Sequence, residues 1–131
     1  MAQSAGFHEN VDLLKPATLD YHRAIVSLTE ELEAVDWYNQ RVDAANDEEL
    51  RAILAHNRDE EKEHAAMVLE WLRRHDAGFD ARLHQYLFID QPIVQKEEEL
   101  NQAEAAGNRQ NGSAERGGAL GIGSLRGEGP R

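Results

Sequence analysis

Two long stretches of the chain place their apolar side chains at alternating steps of four and three, the spacing that lines up one face of a helix. In the first, Ala24, Leu28, Glu31, Val35, Tyr38 and Val42 share a stripe that Ile25 and Leu32 widen. This predicts a helix from about Thr18 to Ala45, opened by Thr18 or Pro16. In the second, the stripe is Leu50, Leu54, Asn57, Glu61, His64, Val68 and Trp71, and it predicts a helix from about Asp47 to Asp76. Asn46-Asp47-Glu48-Glu49 supplies a turn, an N-cap and acidic first-turn residues that suit the positive end of the helix dipole. Arg73, Arg74 and His75 suit the negative end, and Gly78 is expected to stop the helix. A shorter helix is expected from about Asp80 to Phe88, with Leu83, Tyr86 and Leu87 on one side and Pro92 closing it.

Beyond Gln95 the pattern fades. The stretch from Gln95 to Ala106 is polar with almost no apolar face, and eight of the ten glycines lie between Gly107 and Gly129. We read a helical domain over 1–95 and a tail over 96–131, flexible from 107 onward. The expected fold is all-α: an antiparallel two-helix hairpin followed by a short helix. Helices of about 28 and about 30 residues are about 40 to 45 Å long, and the connection between them is too short for any other arrangement. A hairpin cannot enclose a core of its own. The uncovered part of each stripe calls for a second copy, giving a four-helix bundle from two chains.

Charge narrows the function. Among 131 residues, 14 Lys and Arg stand against 25 Asp and Glu, a net charge of -11. Such a surface disfavours binding to nucleic acid or to anionic lipid. Residues 1–95 carry 9 basic and 19 acidic side chains, against 5 and 6 in 96–131, so the acidity belongs to the helical domain. No apolar run approaches the roughly 20 residues that span a bilayer, and the first ten residues have neither a basic start nor an apolar continuation. A soluble, cytosolic protein is expected. There is no Cys, so a metal site must be built from His and carboxylates.

Glu31, Glu61 and His64 sit inside the apolar stripes, where a lone carboxylate costs several kcal/mol unless it is protonated, paired or metal-bound. Glu61-Lys62-Glu63-His64 is a Glu-x-x-His pair at i, i+3, which brings a carboxylate and an imidazole to one helix face within reach of one ion. Carboxylate-bridged di-iron bundles use a Glu from each of two helices and a Glu-x-x-His from each of the other two. This chain carries half of that set. A two-fold pair of chains would gather four carboxylates and two imidazoles, and two divalent ions would cancel the four negative charges. Oxygen-rich ligation with a little imidazole suits iron or manganese.

The run Glu30-Glu31-Leu32-Glu33-Ala34-Val35-Asp36-Trp37-Tyr38, the run from His56 to Met67 and the tail Leu120-Gly-Ile-Gly-Ser-Leu125-Arg126 closely resemble an encapsulated ferritin. The resemblance implies a ferroxidase centre of Glu31, Glu61 and His64 at a dimer interface, holding two irons per dimer, with Tyr38 beside it among the catalytic residues. It also implies an outer site at Glu30 and Glu33, near Trp37, that attracts iron or another divalent cation. It further implies assembly of five dimers into a ring-shaped decamer and oxidation of Fe(II) by oxygen or peroxide. The iron would be stored inside an encapsulin shell in the cytoplasm, to which a peptide within 118–128, centred on Leu120 to Arg126, would dock. Leu120, Ile122 and Leu125, spaced by glycines, suit an extended docking segment.

Without the resemblance, Glu30 and Glu33 read as a solvated acidic face, and Trp37 and Tyr38 as packing residues. Met67, Val68 and Trp71 read as core. His8, His22, His56, His75 and His84 have no partner at ligand spacing. The alternative to an iron oxidase is a non-enzymatic, metal-buffering or adaptor cargo protein whose buried polar groups set dimer register.

Overall fold

A computed structural model describes residues 6–126, with side chains over 6–111. The chain divides into two units, one ending at Gln85 and the other beginning at Tyr86. Among the described residues every regular element is helical. A 3-10 turn, Val11–Leu13, is capped by the Asn10 side chain, which accepts from the Asp12 N–H. Helix α1 spans Pro16–Ala44, with Pro16 in its first turn, where a missing N–H costs nothing. Helix α2 spans Glu48–His75, capped by Asp47, whose carboxylate accepts from the Leu50 N–H at 2.8 Å. Both helices therefore lie within about two residues of the expected spans.

The link of Ala45, Asn46 and Asp47 turns α2 back along α1, and Arg51 reaches over to donate to the Ala45 carbonyl. The two helices pack on each other along their length. Leu54, Arg58, Glu61, Ala65, Val68 and Leu72 recur at steps of 4, 3, 4, 3 and 4 and none is exposed. This is the seam that faces α1, and it is offset from the stripe read in the sequence. Leu72 has no exposed surface and Ala65 is 8% exposed, and these two are the buried hydrophobic residues among those described. Met67, expected in the core, is 58% exposed, while Val68 and Trp71 are half-buried. The reason is geometric: the sequence stripe is wider than a hairpin seam, so one chain covers only its α1-facing edge.

Helix α3, Ala77–Tyr86, begins three residues before the expected start. Gly78, expected to end α2, lies in the first turn of α3, and the break falls at Asp76 instead. The Asp76 carboxylate accepts from the Phe79 N–H at 3.0 Å, capping α3, and accepts the Tyr21 hydroxyl of α1 at 2.8 Å. The Phe79 N–H, then the Tyr21 hydroxyl and the Gly78 N–H, hold Asp76 below its ordinary value against partial burial. Arg73 bonds Glu70 on its own helix and Asp80 on α3, fixing α3 against the end of α2. After Tyr86, Phe88 adopts φ 59°.

In the second unit, α4 spans Ile93–Arg126, and Pro92, expected to close the preceding helix, starts this one by accepting from the Lys96 N–H. The boundary at 95 falls in the first turn of α4, and the segment expected to be flexible from 107 is helical through Arg126. Glycine weakens a helix by about 1 kcal/mol against alanine but does not block it. Proline does, and none occurs between Pro92 and Pro130. Residues 127–131 and the side chains of the expected docking peptide lie outside the described residues. No described helix is long and apolar enough to cross a membrane.

Candidate metal centre

Half-way along the hairpin, α1 contributes Glu31 and α2 contributes Glu61 and His64. One ligand atom from each lies within 4.8 Å of the other two, and among the described residues this is the group of His and carboxylates close enough to share a cation. His64 Nδ1 is 3.2 Å from Glu61 Oε2 and 3.6 Å from Glu31 Oε2. Nδ1 is thus the ring nitrogen that faces the carboxylates. All three side chains are half-buried, the imidazole most open at 44%.

The hydrogen bond with Glu61 raises the Glu31 carboxyl above its usual range, helped by partial burial, while His64 pulls the other way. The same bond, now accepted by the ionised partner, lowers Glu61, and His64 lowers it further. His64 is raised, first by its bond to Glu61 and then by the charges of Glu31 and Glu61, against partial burial. The two carboxyls and the imidazole are thus electrostatically linked, the ionisation of each shifting the others. A divalent cation balances the two carboxylates and suits the oxygen-plus-imidazole donor set, so the residues present fit iron or a similar ion.

Other residues singled out in the sequence lie outside this group. Glu30 is exposed and Glu33 half-buried on the neighbouring faces of α1, and Trp37 is half exposed. Tyr38 is half-buried two turns beyond Glu31, and the Arg41 guanidinium lies 5.3 Å from its ring centre. Of the remaining histidines, His22 packs its ring on Phe7, His75 stacks on Trp71, His56 pairs with Glu60, and His84 pairs with Asp80. Arg58, unremarked in the sequence, stands in the seam one turn before Glu61. The heptad of Leu54, Glu61 and Val68 with Arg58, Ala65 and Leu72 is the signal that could have shown it.

The family model for EncFtn-like proteins matches residues 6–90, a span that holds α1, α2, α3 and all three residues of the cluster. The chain belongs to the EncFtn-like family. It is 58% identical over 135 residues to an encapsulated ferritin-like protein of Rhodospirillum rubrum, covering 98% of this chain and 94% of that one. It is 38% identical over 77 residues to an encapsulin nanocompartment cargo protein of Myxococcus xanthus, covering 58% of each. The crystal structure of a protein from Nitrosomonas europaea superposes with a TM-score of 0.66 at 65% identity, covering 67% of this chain and 97% of that one. The all-α architecture expected from the stripes and the ferritin-like fold implied by the resemblance are thus the fold of this EncFtn-like chain, and α4 lies beyond the family match.

A metal that displaces protons binds more weakly as they return. Metal affinity is expected to fall as pH drops through the His64 transition, which lies above the ordinary 6.5. Isothermal titration with Co(II) from about pH 8 to about pH 5.5 checks this, and a pH-independent affinity would contradict it. The metal-free chain runs the other way. A raised His64 adds stability below its unfolded value that is lost as pH rises through the folded one.

Proposed function

We propose that this chain is a ferroxidase that oxidises Fe(II) to Fe(III) at a two-iron centre shared between two copies and supplies iron for storage inside an encapsulin shell in the cytoplasm. The observation that carries the reading is the meeting of Glu31, Glu61 and His64 on a half-buried face that the single chain leaves incomplete. Three ligands from one chain leave an iron short of partners, and the same three from a two-fold copy complete four carboxylates and two imidazoles. Two Fe(II) ions then balance the four carboxylates.

As substrate, each Fe(II) gives one electron to oxygen or peroxide. The residues prepare that loss: His64 turns Nδ1 toward the two carboxylates, and the hard carboxylate oxygens hold Fe(III) more tightly than Fe(II). The net charge of -11 draws cations to the surface, with Glu30 and Glu33 assigned to an outer site beside Trp37, and Tyr38 to the neighbourhood of the irons. Two relatives bear names describing encapsulated or encapsulin cargo. They support association with a shell; the peptide within 118–128 is the docking segment proposed, and a ring of dimers the assembly proposed.

An anaerobic Fe(II) titration of metal-free protein, followed by admission of air, tests the reading. One tight iron per chain and ferric absorbance that grows faster than in buffer are expected; no tight iron would leave a helical cargo scaffold. Because the ion binds only the paired state, it also favours pairing by mass action. Native mass spectrometry should show Fe(II) moving the population from monomer toward dimer and larger species, and an unchanged distribution would count against a shared site.

A further inference from the structure

A cation in the packing seam of a hairpin is out of place unless something holds it, and Arg58 is such a cation. Its side chain is 23% exposed between Leu54 and Glu61. Arg58 Nε donates to Asp59 Oδ1 at 3.0 Å, and Asp59 also pairs with Lys62 at 3.1 Å, so the guanidinium is oriented from its own helix. Nη1 then crosses the seam and donates to Asn39 Oδ1 on α1 at 3.0 Å. At the far end of the hairpin, Tyr21 crosses to Asp76. Eighteen residues back along α1 from Asn39 is Tyr21, and eighteen forward along α2 from Arg58 is Asp76, so the two crossings share one antiparallel register. Glu31 lies between them. Apolar seams with so few fully buried side chains resist axial sliding poorly, because Leu and Val contacts are non-directional. Directed bonds resist it well.

We infer that Arg58, held by Asp59 and bonded to Asn39, is a positioning residue that fixes the axial register of α1 against α2 so that Glu31 meets Glu61 and His64 in one cation site. The Arg58 crossing is the one that matters for the site, since it stands a single turn from Glu61, whereas Asp76 stands twelve residues beyond His64. A slide of one residue moves Glu31 by about 1.5 Å, enough to take a carboxylate oxygen out of a coordination shell.

The inference rests on the metal-centre reading above, and Co(II) bound to the full-length metal-free protein separates the two, because its visible spectrum reports the ligand set without turnover. Asn39→Ala removes the acceptor while improving helix propensity. It is expected to weaken Co(II) binding about tenfold and shift the visible band with far-ultraviolet helicity unchanged. Asn39→Asp, which restores an acceptor, should recover the wild-type band. Arg58→Lys, which lacks the fork that spans Asp59 and Asn39 together, should shift it as Asn39→Ala does. Tyr21→Phe, which loosens the hairpin elsewhere, should leave it alone. A wild-type band and affinity in Asn39→Ala, or an equal shift in Tyr21→Phe, would overturn the positioning role while leaving the metal centre standing. A wild-type band in Glu61→Ala would overturn the metal centre itself, and this inference with it.

Discussion

Glu61→Ala is expected to abolish tight Fe(II) binding and to reduce ferric formation to the rate of iron in buffer. Glu61 is the hub of the cluster: it is hydrogen-bonded to Glu31 and lies 3.2 Å from His64 Nδ1. Its removal takes away one direct ligand per chain, two per pair, and leaves Glu31 and His64 without the group that holds them together. Changes to groups that merely support a ligand cost about 10- to 100-fold in affinity, so losing the ligand itself should cost more. The helices should survive, because the seam at this point is held by Ala65 and Leu72 rather than by a carboxylate, and because one crowded negative charge is gone. Iron counted anaerobically, ferric absorbance after air and far-ultraviolet circular dichroism together check the expectation. Oxidation at the wild-type rate would remove Glu61 from the ligand set and with it the two-iron reading.

The largest stability effect is expected at Leu72→Ala. Leu72 is the side chain with no exposed surface among those described, and it lies in the last turn of α2, four residues before Asp76, which accepts the Tyr21 hydroxyl of α1. Truncating a buried leucine costs about 2 to 5 kcal/mol, the sum of lost apolar burial and the cavity left behind. Among the described residues Leu72 is the one fully buried side chain and Ala65 is nearly so, so little else compensates. Thermal melts of the metal-free protein should show a large drop in midpoint, and addition of Fe(II) should restore part of it, since a ligand that binds the folded state offsets the loss by mass action. A midpoint within a degree or two of wild type would mean that the packing around Leu72 collapses without cost.

Much of this was legible in the sequence, and the reasons differ by residue. The hairpin showed itself because α1 and α2 carry long three-and-four periodicity bounded by Pro16, Asp47 and the basic end at Arg73 and Arg74. The cluster showed itself because Glu31, Glu61 and His64 break an apolar pattern at positions that must face inward. What a period alone does not reveal is which edge of a broad stripe meets the other helix. Ala65 and Leu72 lie one step off the stripe, and Met67, apolar and read as core beside Val68, stands in solvent. Arg58 was hidden for the same reason, since an arginine looks like surface until its partner across the seam is known. At the α2–α3 corner, Gly78 drew attention as a helix stop while Asp76 did the work through its side chain, a capping role that depends on where Phe79 and Tyr21 come to lie. In α4, glycine content suggested irregular backbone, whereas the absence of proline left the helix unbroken to Arg126.

The three-residue link between α1 and α2 also orders events in time. The crossing from Arg58 to Asn39 closes a loop of 19 residues, that from His64 to Glu31 one of 33, and that from Asp76 to Tyr21 one of 55. Closure entropy rises with loop length, so contacts nearest the link form with the least loss and the hairpin zips outward from it. The guanidinium is therefore seated before Glu31 and Glu61 approach, and two carboxylates that repel each other meet on helices whose alignment has already been chosen.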